Sequence, residues 1–327
     1  MSLVDGLQNQ LGRASRGPCD ILDGRIETMT ESEKSLYGVA PSAFRLPDAT
    51  HVGAVRLQVS DLQRSIAYYE RVLGFRTFSV TSDQASLGPI GDGPPFLFLH
   101  TAAGVKPARR GALGLYHFAI LLPEQAALGS FAAHLSDLRV RVGMADHFVS
   151  EAFYLWDPDG LGIEVYADRP RSEWRERNRE LVMTTEPLDV QRLVTASAGR
   201  PWDGMPAGTT IGHVHLHVGD LDAAERFYHS ALGLDKTVWS YPGALFLAAG
   251  GYHHHLGTNV WSAEPPSRDD EARLIDWELV VPGEEDAAAA ARSLRAAGYD
   301  APARDGLVTT TDPWGTRLKL RAGNQPR

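Results

Sequence analysis

Residues 55 to 75 read VRLQVSDLQRSIAYYERVLGF and residues 214 to 234 read VHLHVGDLDAAERFYHSALGL. The two align without a gap, sharing Val, Leu, Val, Asp, Leu, Tyr, Leu and Gly at corresponding places, which marks a repeated supersecondary unit. Each opens with the apolar alternation of a half-buried strand. Asp61 or Asp220 then suits a helix N-cap, and Gly74 or Gly233 sits where a left-handed C-cap residue is wanted. Further out, DPDGLGIEVY at 157 to 166 and DPWGTRLKL at 312 to 320 each place a tight turn before an alternating strand, closing a hairpin. Upstream of them lie strand candidates LYHFAILLP (115 to 123) and IDWELVVP (275 to 282), followed by Ala- and Leu-rich helical stretches at 124 to 138 and 284 to 297. Four βαβββ modules result, at 50 to 105, 113 to 168, 211 to 262 and 273 to 323, an α+β chain.

The expected domains are an N-terminal arm (1–48), modules one and two (50–168), a linker (169–208) with one short helix over 171–181, and modules three and four (211–323). A length of 327 residues with 43% hydrophobic and 22% charged content fits two ordinary domains and excludes a disordered or collagen-like chain. Thirty-two basic against 41 acidic residues leave a net charge of −9, so no positive field steers the chain to nucleic acid or to anionic lipid. The single Cys19 cannot close an internal disulfide. With no apolar signal segment and no run of eighteen apolar residues, a cytoplasmic location is expected.

The strings GHVHLHVGDL, DPDGLGIEVY and VSEAFYLWDPDG through YADRPR resemble the vicinal oxygen chelate superfamily, which holds glyoxalases, bleomycin resistance proteins and extradiol dioxygenases. Within it the chain is similar to the two-domain catechol 2,3-dioxygenase-like proteins, and GALFLAAGGYHHHLGTNVW at 243 to 261 is the most specific string. The resemblance covers residues 50 to 323. It implies two cup-shaped mixed β-sheets, each built from a pair of modules, with metal ligands on the first and last strands.

Those positions can be counted. His213 lies seven before Asp220, and the same count from Asp61 reaches Ala54. His117 lies six before Pro123, and Asp276 six before Pro282. Seven after the turn aspartates come Glu164 and Lys319, and a protonated lysine cannot ligate a metal. The competent groups His117, Glu164 and His213 therefore fall in modules two and three. An active cup from those modules and a metal-free cup from modules one and four is expected; sequential pairing would set His213 against Asp276 and Lys319. Two imidazoles and one carboxylate suit Fe(II), with Mn, Zn or Ni as the alternative. Each residue also has a plain structural alternative, a core histidine or a solvent-facing carboxylate, against which the coincidence of three counts weighs.

Seven of the twelve histidines lie between 213 and 255. If residues 252 to 259 form a strand, His253 and His255 share one face and His254 takes the other. The resemblance points to His254 as the acid–base group, with His255 second; an imidazole of near-neutral pKa can take a catechol proton and return it. The triplet's other readings are a polar edge and an extra metal patch. The resemblance also implies that Tyr154, ten residues before Glu164, hydrogen-bonds a substrate oxygen, with an ordinary β-strand aromatic as its other reading, while His147, His215 and His253 are weaker candidates for contact with substrate or ligands. The implied activity is Fe(II)-dependent extradiol cleavage of a catechol-type aromatic with O2. The alternatives are a metal-dependent glyoxalase- or epimerase-like isomerase, which would add a second carboxylate, and a non-catalytic small-molecule binding protein without the trio. Loops at 83 to 97 and 259 to 272 are candidates to cover the mouth, and exposed cup edges leave a homo-oligomer open.

Overall fold

Asp61 accepts from the Arg64 N–H at 3.0 Å and Asp220 from the Ala223 N–H at 2.7 Å, and a helix starts after each aspartate. The structure, a computed structural model, describes residues 37–323 except 92 and 305. Most of the expected N-terminal arm, residues 1–36, lies outside the described residues, as does Cys19.

The first module runs β1 (His51–Gln58), α1 (Leu62–Leu73), β2 (Arg76–Val80), β3 (Gln84–Gly88) and β4 (Leu97–His100). The second runs β5 (Gly114–Leu121), α2 (Gln125–Asp137), β6 (Gly143–Asp146), β7 (Ser150–Trp156) and β8 (Gly162–Asp168). The connecting segment carries a 3₁₀ turn at Arg171–Glu173, a small hairpin of β9 (Glu176–Arg177) with β10 (Glu180–Leu181), and α3 (Val190–Ala196). The expected helix over 171–181 is therefore corrected. Asn178 and Arg179 take φ of 55° and 65°, which reverses the chain into a hairpin turn. The third module runs β11 (Thr210–His217), α4 (Leu221–Ala224, continuing as a π-helical turn over Glu225–Ala231), β12 (Asp235–Val238), β13 (Ala244–Ala248) and β14 (Leu256–Asn259). The fourth runs β15 (Arg273–Val281), α5 (Glu284–Ala296), β16 (Ala303–Arg304), β17 (Leu307–Thr311) and β18 (Arg317–Ala322).

Two eight-stranded mixed sheets form, ordered β16-β17-β18-β15-β1-β4-β3-β2 and β12-β13-β14-β11-β5-β8-β7-β6. Modules one and four share the first sheet, and modules two and three share the second. In each, the two module-initial strands lie antiparallel at the centre, β1 with β15 and β11 with β5. A connected apolar core runs through both halves, with Leu57, Tyr69, Phe118, Phe131, Phe227 and Trp277 among its members.

Consecutive modules are tied in a second way. The Asp157 carboxylate accepts from the Asp159 and Leu161 N–H groups at 2.9 and 2.8 Å, and Asp312 repeats this with Trp314 and Thr316 at 3.0 and 2.7 Å. Gly160 and Gly315 supply the left-handed residue that each turn needs, with φ of 86° and 92°. The Tyr69 hydroxyl on α1 donates to Asp157 at 3.3 Å, and its repeat counterpart Tyr228 donates to Asp312 at 2.9 Å. Helices thus link modules one to two and three to four, while strands pair one with four and two with three. Tyr228→Phe removes a buried donor from a buried carboxylate and is expected to cost about 1–3 kcal/mol, more than Tyr69→Phe with its longer contact. Urea denaturation measures both; equal midpoints for both variants and the parent would exclude these bonds as fastenings.

Candidate metal centre

Register builds the site. On the second sheet His213 of β11 pairs with Ala119 of β5, Ala119 with Glu164 of β8, and Glu164 with Tyr154 of β7. Paired residues on neighbouring strands point to the same face, so the four form one row. His117 joins that face two residues before Ala119, directly opposite His215. Because Ala119 contributes only a methyl group, His213 and Glu164 meet across it: His213 Nε2 lies 3.1 Å from Glu164 Oε2, and His117 Nε2 lies 3.0 Å from the same oxygen. All three residues are buried, and their ligand atoms fall within 4.8 Å of one another.

The donor set fits a divalent cation. Among the described residues His117 Nε2 has no hydrogen-bond partner despite its closeness to Glu164, and a buried nitrogen of this kind calls for an ion or another partner. Burial alone would push the Glu164 carboxyl up, but His213 and His117 outweigh it and hold the acid well below its usual range. Burial pushes His213 down to about 4 against the opposing pull of Glu164. At neutral pH the site therefore presents an ionised carboxylate and a neutral His213 imidazole, the charge states that metal binding requires.

The remaining expected residues fall in distinct places. Tyr154 is half-buried; burial and the nearby Glu164 charge raise its phenol well above the ordinary value, so it stays protonated. His147 Nδ1 donates to the Thr184 carbonyl at 2.5 Å, which leaves its Nε2 to accept the Tyr154 hydroxyl at 2.6 Å. His254 packs its ring 4.0 Å from that of His213 and 5.0 Å from Phe246. Its expected near-neutral pKa is corrected: burial first, and the neighbouring histidines next, hold the imidazole well below the ordinary range. The expected strand over 252–259 begins only at Leu256, and the triplet lies in a bend before it. His255 accepts from the Ala249 N–H at 3.1 Å and lies against Tyr252, tied to its own hairpin rather than to the trio. His253 reaches away from the row to Asp168 at 2.9 Å.

His215 lies 5.0 Å from the His117 ring, and its Nε2 accepts from Asn259 Nδ2 at 2.9 Å. Asn259 Oδ1 in turn accepts from His217 Nδ1 at 2.7 Å. A Cβ at Gly257 would come within 2.9 Å of the His215 ring, so only glycine leaves room for it. Tyr116, Phe246 and Trp261 stand 5.2 to 5.6 Å from His215 and give the neighbourhood an aromatic wall. Sequence reasoning missed these residues, together with Ala119, Asn259 and Asp168. For Asp168 a signal existed: it has the strand parity of Glu164. Of the two loop segments, 259 to 272 brings Trp261 to this wall, whereas 83 to 97 contains β3 of the other sheet.

The other sheet shows the row without a metal set. Glu278 of β15 pairs with Lys319 of β18 where Ala119 pairs with Glu164, and the Lys319 ammonium donates to Asp276 at 2.8 Å. Arg56 bridges Asp276 and Glu278 at 2.8 and 2.7 Å. Cations of the chain itself neutralise these buried acids.

The family model described as Glyoxalase/Bleomycin resistance protein/Dioxygenase superfamily matches residues 50–165 and 210–320, and the chain belongs to that superfamily. Within it, the catechol-2,3-dioxygenase of Bacillus subtilis (strain 168) is 40% identical over 269 residues, 81% of this chain and 94% of that protein. Among solved structures, a Bacillus subtilis protein described as a candidate dioxygenase superposes with a TM-score of 0.61 at 14% identity, covering 86% of this chain and 87% of that one. Glyoxalase I from Zea mays gives 0.50 at 18% identity, covering 83% and 92%. Both structural likenesses concern the fold alone.

Two mutational outcomes follow from the row. His117→Ala, Glu164→Ala and His213→Ala should each lose bound metal, whereas Lys319→Ala should not; elemental analysis after anaerobic loading reads both. Ala119→Leu changes no ligand but fills the gap across which two ligands meet, and is expected to lose metal as well. Full occupancy in that variant would refute the role given to Ala119.

Proposed function

We propose that this protein is an Fe(II)-dependent extradiol dioxygenase that opens the ring of a catechol-type aromatic with O2. The observation that carries the reading is the convergence of His117, Glu164 and His213 in a chain 40% identical to a catechol-2,3-dioxygenase. A catechol-2,3-dioxygenase-like enzyme needs one carboxylate and two neutral imidazoles to hold ferrous iron with coordination positions left over, and this set meets that need. When bound, the iron would supply a common anchor for the diol and dioxygen and a route for electrons between them.

The chain's own groups account for the rest. Tyr116, Phe246, His215 and Trp261 offer ring faces and edges to a flat aromatic substrate. His254 is a neutral imidazole, so its bare ring nitrogen can take a phenolic proton and return it during ring opening. The protonated Tyr154, steadied by His147, can turn its hydroxyl to a substrate oxygen. Opening beside the diol would give a semialdehyde-type acid. Among the described residues no second carboxylate joins the trio, which weighs against the isomerase reading. A cytoplasmic workplace belongs to the same proposal.

Anaerobically prepared protein should contain close to one ferrous ion per chain and, with catechol and air, consume one O2 per ring opened as the ring-cleavage absorbance rises. A different divalent ion without O2 uptake would favour the isomerase, and absence of metal would favour a binding protein. His254→Ala should keep iron and turn over slower by roughly 10² to 10⁴; normal turnover would remove His254 from the acid–base role.

A further inference from the structure

Strand β8 carries more than the carboxylate of the metal set. Four residues beyond Glu164, on the same face, Asp168 Oδ1 lies 2.9 Å from His253 Nε2 and also accepts the Tyr252 hydroxyl at 3.2 Å. The Tyr252 hydroxyl is shared with that of Tyr166 at 2.7 Å. His253 is fully buried, with its ring 4.0 Å from Tyr252 and 5.4 Å from Trp174. Its other nitrogen, Nδ1, stands 2.7 Å from Nδ1 of His254.

From these contacts we infer that Asp168 is a positioning residue that sets the tautomer of His254 through His253. The inference rests on the acid–base role proposed for His254 and deepens it. A carboxylate has no proton to give, so the 2.9 Å contact makes His253 Nε2 the donor. Where that is the one proton of the ring, Nδ1 of His253 carries a lone pair. Two nitrogens at 2.7 Å need one proton between them, so His254 Nδ1 donates. The proton-free nitrogen of His254 is thereby Nε2, the far side of the ring from His253. Two hydrogen bonds in series fix both the ring plane and the basic atom, the arrangement by which an orienting acid makes one imidazole nitrogen the base. Asp168 touches neither the trio nor the substrate neighbourhood; its effect passes through His253. Because Glu164 and Asp168 sit on one strand, one β-ladder sets both the metal ligand and the orientation of the base.

The test uses the full-length protein loaded with diamagnetic zinc and labelled with ¹⁵N-histidine, with tautomers read from long-range ¹H–¹⁵N spectra. In the parent, His254 should show a protonated Nδ1 and a bare Nε2; a protonated Nε2 overturns the inference without any variant. In Asp168→Ala, metal content should be retained while the two nitrogens of His254 move toward averaged shifts. The iron-loaded variant should lose at least about tenfold in kcat while KM for catechol changes less than about twofold, since orientation of a base and not binding is affected. Parental spectra and kcat in Asp168→Ala would overturn the inference, as would a loss confined to KM. The tautomer readout needs no turnover, so failure of the parent to open any catechol counts against the dioxygenase reading alone.

Discussion

A buried carboxylate flanked by two buried imidazoles is the constraint on which the second sheet depends. Sealing Glu164 among apolar strands carries a desolvation cost, and the histidines on either side offset it. The offset works only if β11, β5 and β8 lie side by side in one register, because His213 and Glu164 must face each other across Ala119. A slip of one residue would turn the whole row to the opposite face. Structure and site are therefore one requirement: the strand alignment that buries the core also points the three ligand atoms at a common centre.

The sister sheet is an internal control on that statement. It has the same strand order and the same hairpin turns, yet its row reads Glu278 and Lys319 where the other reads Ala119 and Glu164. There the buried acids are matched by Arg56 and Lys319, positive groups belonging to the chain. Where the protein supplies its own cation, no external one is called for. Among the described residues the histidine-rich row has no such partner, and His117 Nε2 and His213 Nδ1 are left without hydrogen bonds.

Much of this was legible in the sequence because hairpins count reliably. The Asp-Pro-x-Gly turns fix the following strand to within a residue, so the step from Asp157 to Glu164 lands on the same rung as that from Asp312 to Lys319. The alignment of Tyr69 with Tyr228 marked two buried hydrogen bonds that look alike in the structure. What could not be read depends on chain reversals and distant partners. The histidine triplet bends before β14 begins, so strand parity does not describe it, and His255 is held by Ala249 instead. Asp168 acts on His253 from 85 residues away, a meeting that only the adjacency of modules two and three brings about. The helix expected at 171–181 gave way to a hairpin through two left-handed residues that carry no glycine to announce them.

The central claim, that one metal ion is shared by His117, Glu164 and His213, is tested most directly by a crystal structure of the anaerobically iron-loaded protein with anomalous data at the iron edge. The account predicts a single strong peak within coordination distance of Nε2 of both histidines and of a Glu164 carboxylate oxygen, with no peak at Lys319. A peak elsewhere, or one out of reach of any of the three, would contradict it.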